Sequence, residues 1–165
     1  MFEIKFGNIF DGKADACLIQ CDGGSRKSVG KMGLQMEKRL GEDIWSDIMD
    51  QFSWPVALGD AQFQWIDDEV VNENFKALVL MSSMSHLLER TDHATLLSTS
   101  LGRALTLTAE KGCSTVSMLL GRGGHRLRFP EAIALIENAV RLQPRLHVTA
   151  YTLNTQVIAE INNQI

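Results

Sequence analysis

The sequence predicts an α/β protein, a three-layer α/β/α sandwich with a mostly parallel central sheet. Short apolar runs alternate with longer amphipathic segments over nearly the whole chain. Strands that alternate with helices usually pair in parallel, because each helix returns the chain to the edge where the next strand begins. The 165 residues are enough for one sizeable core, so we expect a single domain over residues 1–165.

Several segments have the length and apolar character of strands. Residues 2–6 alternate apolar and polar side chains, which is typical of a strand with one buried face. Residues 16–21 are apolar apart from Gln20, so we expect this strand near the centre of the sheet. The remaining predicted strands are residues 61–66, 75–81, 115–120 and 146–153.

Helical periodicity fills the segments between these strands. A loop over residues 23–33 leads into the first helix, and Asp92 or Thr91 is a candidate N-cap for a long helix ending near Gly112. Pro130 predicts the first turn of another helix, and Asn154 or Thr155 the cap of a terminal one. The apolar stripes include Met32, Met36 and Leu40, then Ile44, Trp45 and Ile48, then Leu97, Leu101 and Leu105, and finally Ile133, Ile136 and Val140.

Composition and charge exclude several classes of protein. A net charge of -4 and a pI near 5.5 argue against a general nucleic-acid binder. No segment has the pattern of a signal peptide or of a membrane span, so a cytoplasmic protein is expected. Cys17, Cys21 and Cys113 form no CxxC pair, and we interpret them as small core residues in a reducing compartment. Neither a metal nor a cofactor is predicted.

An acidic trio at Asp67, Asp68 and Glu69 follows the third predicted strand. Clustered carboxylates could hold a metal ion, but in a turn they are usually only solvated. We therefore interpret the trio as a solvated turn.

The stretch TVSMLLGRGGHRLRFP, residues 115–130, reads as a buried strand, a glycine-rich basic loop and a helix start. In open α/β sheets, ligands bind beside loops that follow the carboxyl ends of strands. Gly121, Gly123 and Gly124 let backbone N–H groups approach an anion, and Arg122 and His125 add positive potential. The loop is a candidate phosphate site, with an ordinary solvated crossover as the alternative reading.

The segment GNIFDGKADACLIQCDGG, which starts at Gly7, resembles the opening of a macro domain, the ADP-ribose-binding module. That family typically has a Gly-Asp-Ile-Thr turn, an Asp-Ala pair, and a strand ending in Asn-Ala-Ala-Asn. The corresponding residues here are Gly7-Asn8-Ile9-Phe10, Asp15-Ala16 and Ile19-Gln20-Cys21-Asp22, and Gly59-Asp60-Ala61 and Gly121-Arg122-Gly123-Gly124 also resemble family motifs. The order of elements agrees over nearly the whole chain.

The resemblance implies a ligand and a set of site residues. ADP-ribose or a related nucleotide is expected, with its diphosphate between residues 30–33 and 121–124 and its base near Tyr151. Asn8 replaces the family aspartate that binds the adenine amino group, and an amide can still hydrogen-bond there. The implied ligand-binding residues are Asn8, Ile9, Gly30, Lys31, Gly121, Arg122, Gly123, Gly124, His125 and Tyr151.

Asp22 is the candidate catalytic residue. By the resemblance it takes the position of the asparagine that hydrolytic members use near the distal ribose. A carboxylate there would orient water or act as a general base. The alternative is that Asp22 is only the turn residue that ends a strand.

Three functions are compatible with these residues. The first is a binding module for ADP-ribose or a related nucleotide. The second is a hydrolase that uses Asp22 to remove ADP-ribose or a phosphate from a derivative. The third is a relative in fold only, which acts through protein contacts. The sequence does not determine the oligomeric state.

Overall fold

The computed structural model describes residues 1–24, 29–83, 92–120 and 127–163, with side chains to residue 159. A six-stranded sheet in the order β1-β6-β5-β2-β4-β3 forms its centre. Only the pairing of β3 with β4 is antiparallel, so the prediction of a mostly parallel sheet is confirmed. The strands are β1 (Phe2–Phe6), β2 (Ala14–Cys21), β3 (Ala61–Trp65), β4 (Phe75–Ser82), β5 (Thr115–Leu119) and β6 (His147–Thr152).

Helices cover both faces of the sheet, which gives the predicted three layers. One face packs against α1, α2 and α3, together with a short 3-10 helix at Ile9–Asp11, and the other face packs against α4 and α5. The helices are α1 (Gly30–Leu40), α2 (Glu42–Met49), α3 (Glu69–Asn72), α4 (His93–Glu110), α5 (Phe129–Arg141) and α6 (Thr155–Asn163).

Strand β2 shows how the sheet separates two cores. Ala16 and Leu18 contact the core beneath α4 and α5, whereas Cys17, Ile19 and Cys21 face the other core. All five side chains are almost completely buried, as expected for a central strand whose neighbours cover both faces. The three cysteines are buried and unpaired.

The strand order creates a switch point between β2 and β5. From β2 the chain continues to β3 and β4 on one side, and from β5 it continues to β6 on the other. The two connections therefore leave neighbouring parallel strands in opposite directions. A crevice forms outside the carboxyl ends of such strands, and open α/β proteins bind ligands there. We call the edge where the parallel strands end the carboxyl edge, and the opposite edge the amino edge.

The start of α1 and the role of the acidic trio differ from the sequence-based expectation. Helix α1 begins at Gly30, inside the predicted loop over residues 23–33, because the Gly33 N–H already donates to the Val29 carbonyl at 3.2 Å. The acidic trio does more than form a solvated turn. The Asp68 carboxylate accepts from the backbone N–H groups of Val70 and Val71 and so caps α3.

The remaining helix caps follow the predictions. Asp92 accepts from the Thr95 N–H at 3.1 Å at the start of α4. The Asn154 side chain accepts from the Gln156 N–H at 3.0 Å before α6, and Pro130 lies in the first turn of α5. Among the described helices, none has the length and apolar character needed to cross a membrane.

Candidate functional site

The carboxyl edge carries most of the residues singled out in the sequence. Asp22 directly follows β2, and Gly30 and Lys31 open the helix that comes next in the chain. Gly121, Arg122, Gly123, Gly124 and His125 follow β5 in sequence but lie outside the described residues. The site is therefore built here from the ends of β2, β4 and β6 and from the starts of α1 and α5.

Asp22 lies in a tightly held turn. Its Oδ1 accepts from the Gly24 N–H at 2.9 Å, and its backbone carbonyl accepts from the Ser82 hydroxyl at 3.0 Å. The side chain is partly exposed, and Oδ2 makes no hydrogen bond within the described part of the chain. The Gly24 N–H thus holds Oδ1 beside the switch point, and within the described residues Oδ2 has no partner.

Gly23 explains why this turn lies so close to its neighbours. Its φ of +77° is in the left-handed region, where glycine is favoured. A Cβ at this position would overlap the backbone carbonyl of Val56, and the Gly23 carbonyl accepts from the Val56 N–H at 2.8 Å. A side chain at residue 23 would push the turn, and Asp22 with it, away from the sheet.

The N-terminus of α1 lacks a side-chain cap. Val29 occupies the N-cap position and packs onto the helix, and a Cβ at Gly33 would collide with it. The first turn contains no acidic residue, and Lys31 within it is exposed. Free backbone N–H groups and the positive end of the helix dipole make such a terminus favourable for an anion.

The N-terminus of α5 has a similar arrangement on the other side of the switch point. Arg128 is its N-cap and makes no side-chain capping bond. By contrast, acidic or amide side chains cap α3, α4 and α6. Within the described residues, the N-cap residues of the helices that follow β2 and β5 thus make no side-chain capping bond.

Asn8 and Ile9 lie in the segment that leaves β1 and crosses back towards the start of β2. The Asn8 Oδ1 accepts from the Phe10 N–H at 3.0 Å and caps the 3-10 helix, so the amide oxygen already has a partner. The side chain is exposed, and its NH₂ group makes no hydrogen bond with any described residue. Ile9 is buried in the core beneath α1.

Tyr151 lies near this crossing segment. Its ring packs against the α1-side core, and a Cβ added at Gly12 would overlap its hydroxyl. The Gly12 N–H donates to the Ile9 carbonyl at 3.3 Å, so the tyrosine and the turn that contains Ile9 share one neighbourhood. Tyr151 remains partly exposed. The structure thus brings Tyr151 and Ile9 close together, near the end of β6.

Two polar residues at this edge were missed by sequence reasoning. The Ser83 N–H donates to the Cys21 carbonyl at 3.1 Å, but its fully buried hydroxyl has no partner among the described residues. The buried Nδ1 of His93, at the start of α4, is also unpartnered in that part of the chain. A serine pair directly after the apolar run of β4 was the available signal. A buried polar group without a hydrogen-bond partner costs about 1–3 kcal/mol of stability, so the Ser83 hydroxyl and the His93 Nδ1 are unusual features of this edge.

Some residues that carried the family resemblance have structural roles. The Asp15 Oδ2 accepts from the backbone N–H groups of Ser114 and Thr115 at 2.7 and 3.2 Å, and thereby joins the starts of β2 and β5. The Ser114 hydrogen bond is the main reason why the pKa of Asp15 is lowered from its ordinary value. Asp60 pairs with Arg103 at 3.2 Å beside β3. Both carboxylates therefore already have partners within the protein.

The cysteines near the site are poor candidates for nucleophilic chemistry. Burial raises the pKa of the Cys21 thiol to about 12, and it raises the pKa of Cys17 as well. Thiolates, rather than thiols, are the nucleophiles and metal ligands of cysteine chemistry. No group of three or more His, Cys, Asp or Glu side chains within the described residues is arranged to hold a metal ion. The described part of the carboxyl edge offers hydrogen-bond donors, the Asp22 carboxylate and positive helix ends.

The fold of this chain is similar to that of several solved macrodomain structures. The macrodomain of Mycobacterium tuberculosis DarG is similar, with 16% identity, a TM-score of 0.66, and coverage of 92% of this chain and 97% of that chain. The GDAP2 macro domain has 13% identity and a TM-score of 0.73, with 97% and 81% of the two chains covered. An Oceanobacillus iheyensis macrodomain with ADP has 12% identity and a TM-score of 0.71, with 99% and 93% covered.

Sequence comparison alone gives no such assignment. No protein-family model matches the chain, and no curated protein matches it. The similarity to solved structures spans nearly the whole chain, and it confirms the expected fold.

Proposed function

Because the chain has the macro-domain fold, we propose that it binds ADP-ribose or a related nucleotide diphosphate in the crevice at the carboxyl edge. The diphosphate would lie between the start of α1 and the glycine-rich segment that precedes α5. A similar fold from Oceanobacillus iheyensis has been solved with ADP. This is a proposal about binding, and it does not require turnover.

The observation that carries the proposal is the pair of helix termini on either side of the switch point. Both α1 and α5 begin at the carboxyl edge without a side-chain cap among the described residues. Lys31 adds a positive charge in the first turn of α1. A diphosphate placed between the two termini would interact favourably with both helix dipoles and would accept hydrogen bonds from the backbone N–H groups that open α1.

We propose that the ligand lies along the strand order β6-β5-β2. Tyr151 near the end of β6 would contact the base, with Ile9 and the amide NH₂ of Asn8 nearby. The diphosphate would then cross β5 towards β2. The far end of the ligand would lie beside Asp22, where β2 ends. Neighbouring strands are about 4.8 Å apart, so this path crosses about 10 Å of sheet edge.

Calorimetric titration tests the proposal directly. We expect the purified protein to bind ADP-ribose, and AMP to bind much more weakly because it lacks the diphosphate. Gly124→Glu places an anion in the proposed phosphate site and should abolish binding while the protein stays folded. Gly102→Glu is the matched control, because Gly102 lies within α4 and a Cβ there would have open space.

The outcomes separate binding from a role in fold only. Binding of ADP-ribose by the Gly102→Glu variant but not by the Gly124→Glu variant supports the placement. Equal binding by both variants would rule out this position for the diphosphate. If the unmodified protein binds neither nucleotide, the fold serves another purpose, such as protein contacts.

A further inference from the structure

We propose that the outer edge of β3 pairs with β3 of a second copy of this chain, so that the sheets of the two copies join through an antiparallel strand pair. β3 is the last strand on its side of the sheet, and β4 is its partner on the inner side. The proposed ligand site lies near the ends of β2, β5 and β6. The inference therefore goes beyond the proposed function and does not depend on it.

The first argument is that the outer side of β3 presents backbone groups without partners. The Ser82 N–H donates to the Asp60 carbonyl at 2.9 Å. Hydrogen-bonded and non-hydrogen-bonded pairs alternate between antiparallel strands, so every second residue from Asp60 directs its backbone groups towards β4. Phe63 and Trp65 lie between these residues and direct their N–H and C=O groups outwards. Within the described residues these outward groups have no hydrogen-bond partner, and such a row is a template for another strand.

The second argument is the contrast between the two outermost strands of the sheet. β1 carries Glu3 and Lys5, and charged side chains on an edge strand oppose pairing with another chain. β3 has the sequence AQFQW and carries no charge, and its Trp65 is 50% exposed. The ring of Phe63 lies beside this tryptophan, with the two centroids 4.9 Å apart. β3 thus lacks the protection of β1 and presents two aromatic rings on one face.

The third argument is that one register pairs this edge with itself. The Ala61 N–H already donates to the Asp60 Oδ1 at 2.8 Å, which favours pairing at Phe63 and Trp65 instead. An antiparallel copy centred on Gln64 places the Phe63 of each chain opposite the Trp65 of the other. Each of these pairs exchanges two backbone hydrogen bonds, so all the outward groups of Phe63 and Trp65 gain partners. The four rings share one face, where cross-strand aromatic pairs are stabilising.

The fourth argument is that the charges around this register are complementary. Phe63 packs into the core beneath α4 and Ile66 into the core beneath α1, so continued alternation brings Asp67 to the α4 side. In this register the Asp67 of one copy comes one pair along from the Phe63 of the other, on the same face. The Lys111 Nζ lies 5.9 Å from the centroid of that Phe63 ring. Asp67 and Lys111 are exposed and have no ion-pair partner among the described residues. Two symmetric pairs of this kind favour a second copy over an unrelated strand.

Sedimentation equilibrium of the ligand-free chain over a wide range of protein concentration tests the inference. We expect a monomer–dimer equilibrium, because a single strand pair makes a small interface of the kind found in weak complexes. Trp65→Lys places a charge on the exposed edge and should weaken the dimer about tenfold or more. Leu142→Lys is the matched control, since it replaces an apolar side chain that is 78% exposed at the C-cap of α5. It should leave the dimer unchanged, and circular dichroism checks that both variants are folded.

An exchange of charges tests the register. Lys111→Glu and Asp67→Lys should each weaken the dimer about threefold or more, because each places like charges together at two symmetric positions. The double variant restores opposite charges at both positions. It should recover the self-association of the wild type.

The outcomes are distinct. If the wild type stays monomeric at every concentration, the inference is wrong, and an extended peptide of another protein becomes the occupant to test at this edge. Equal weakening by Trp65→Lys and Leu142→Lys would place the contact on another surface. If the double variant associates no better than the single charge variants, the register centred on Gln64 is wrong. None of these outcomes changes the expectation for ADP-ribose binding, which is measured separately.

Discussion

The two edges of the sheet use their polar groups in different ways. At the amino edge, side chains are engaged with the protein itself. The Asp15 carboxylate accepts from two backbone N–H groups at the start of β5. The Asn74 amide donates to the carbonyls of Phe10 and Gly12 at 2.7 and 2.8 Å, and Glu3 pairs with His147 at 2.9 Å. At the carboxyl edge, two helix termini have no side-chain cap among the described residues, and one oxygen of Asp22 has no partner there.

The difference shows that a residue in a segment that resembles a family motif need not belong to the binding site. Asp15-Ala16 and Gly59-Asp60-Ala61 resemble family motifs. The Asp15 carboxylate joins β2 to β5, and the Asp60 carboxylate accepts from the Ala61 N–H and pairs with Arg103 on α4. At the carboxyl edge, within the described residues, the Asp22 Oδ2 and the start of α1 have no side-chain partner, and a ligand can supply one. Changes at the amino edge should therefore affect stability, and changes at the carboxyl edge should affect binding.

The largest effect is expected from Asp15→Ala. The substitution leaves the N–H groups of Ser114 and Thr115 without their shared acceptor, so we expect a loss of about 2–3 kcal/mol in the free energy of unfolding. Urea unfolding followed by circular dichroism measures it. Lys76→Ala is the control, because its exposed ion pair with Asp15, at 3.8 Å, is worth less than about 1 kcal/mol. Equal losses in both variants would show that the backbone bonds to Asp15 matter little.

Lys31→Glu, at the carboxyl edge, should weaken ligand binding without a loss of stability. It reverses the charge at the proposed phosphate site and should weaken ADP-ribose binding about tenfold. Stability should hold or rise slightly, because an acidic residue interacts favourably with the N-terminus of a helix. Lys38→Glu, in the last turn of the same helix, should leave affinity unchanged. Calorimetry and thermal unfolding of both variants check this, and a parallel loss of affinity would contradict it.

Acid should weaken the amino edge selectively. Because the pKa of Asp15 in the folded protein lies below its ordinary value of 3.8, this carboxylate contributes stability above that value and loses it as the pH falls through the lowered pKa. The stability advantage of the wild type over Asp15→Asn should therefore shrink in that range. Urea titrations from neutral pH to below pH 3.8 measure the difference. A constant difference between the two proteins would be inconsistent with the lowered pKa.

The smallest effect is expected from Glu3→Gln. The hydrogen bond from His147 is the main cause of the lowered pKa of Glu3, but the carboxylate is 39% exposed. Solvent screens such pairs, so the loss should be below about 1 kcal/mol. It should also disappear as the pH falls through the lowered pKa of Glu3. If Glu3→Gln lowers the free energy of unfolding as much as Asp15→Ala does, the pair of Glu3 with His147 is a main stabilising contact of the amino edge.

The sequence was sufficient for the strands and for most helices, because each has a local signal. The apolar run before Asp22 predicted a strand that is covered on both faces, and the side chains on both faces of β2 are buried. The start of α1 was predicted too late in the sequence. The periodic signal comes from Met32, Met36 and Leu40, which mark only the buried face of the helix. Gly30 and Lys31 lie off that face and carry no periodic signal, so only backbone hydrogen bonding locates the first turn.

The candidate site was harder to derive, since it depends on which strands become neighbours. The switch point requires β2 and β5 to pair, although they are separated by most of the middle of the chain. No local pattern indicates that pairing. The role of Asp15 was equally hidden, since its partners Ser114 and Thr115 are remote in sequence. The roles predicted for Asn8, Lys31, Tyr151 and the glycine-rich segment at residues 121–125 remain predictions.

The pairing of β1 with β6 has a consequence for synthesis on the ribosome. Of the six strands described, Phe2–Phe6 is made first and its partner His147–Thr152 is made last. At usual translation rates, β1 waits on the order of ten seconds before β6 exists. During that time its edge is open to pairing with other chains, and Glu3 and Lys5 are the charged residues that oppose such pairing. The nascent chain should therefore be most vulnerable to aggregation before its final strand emerges.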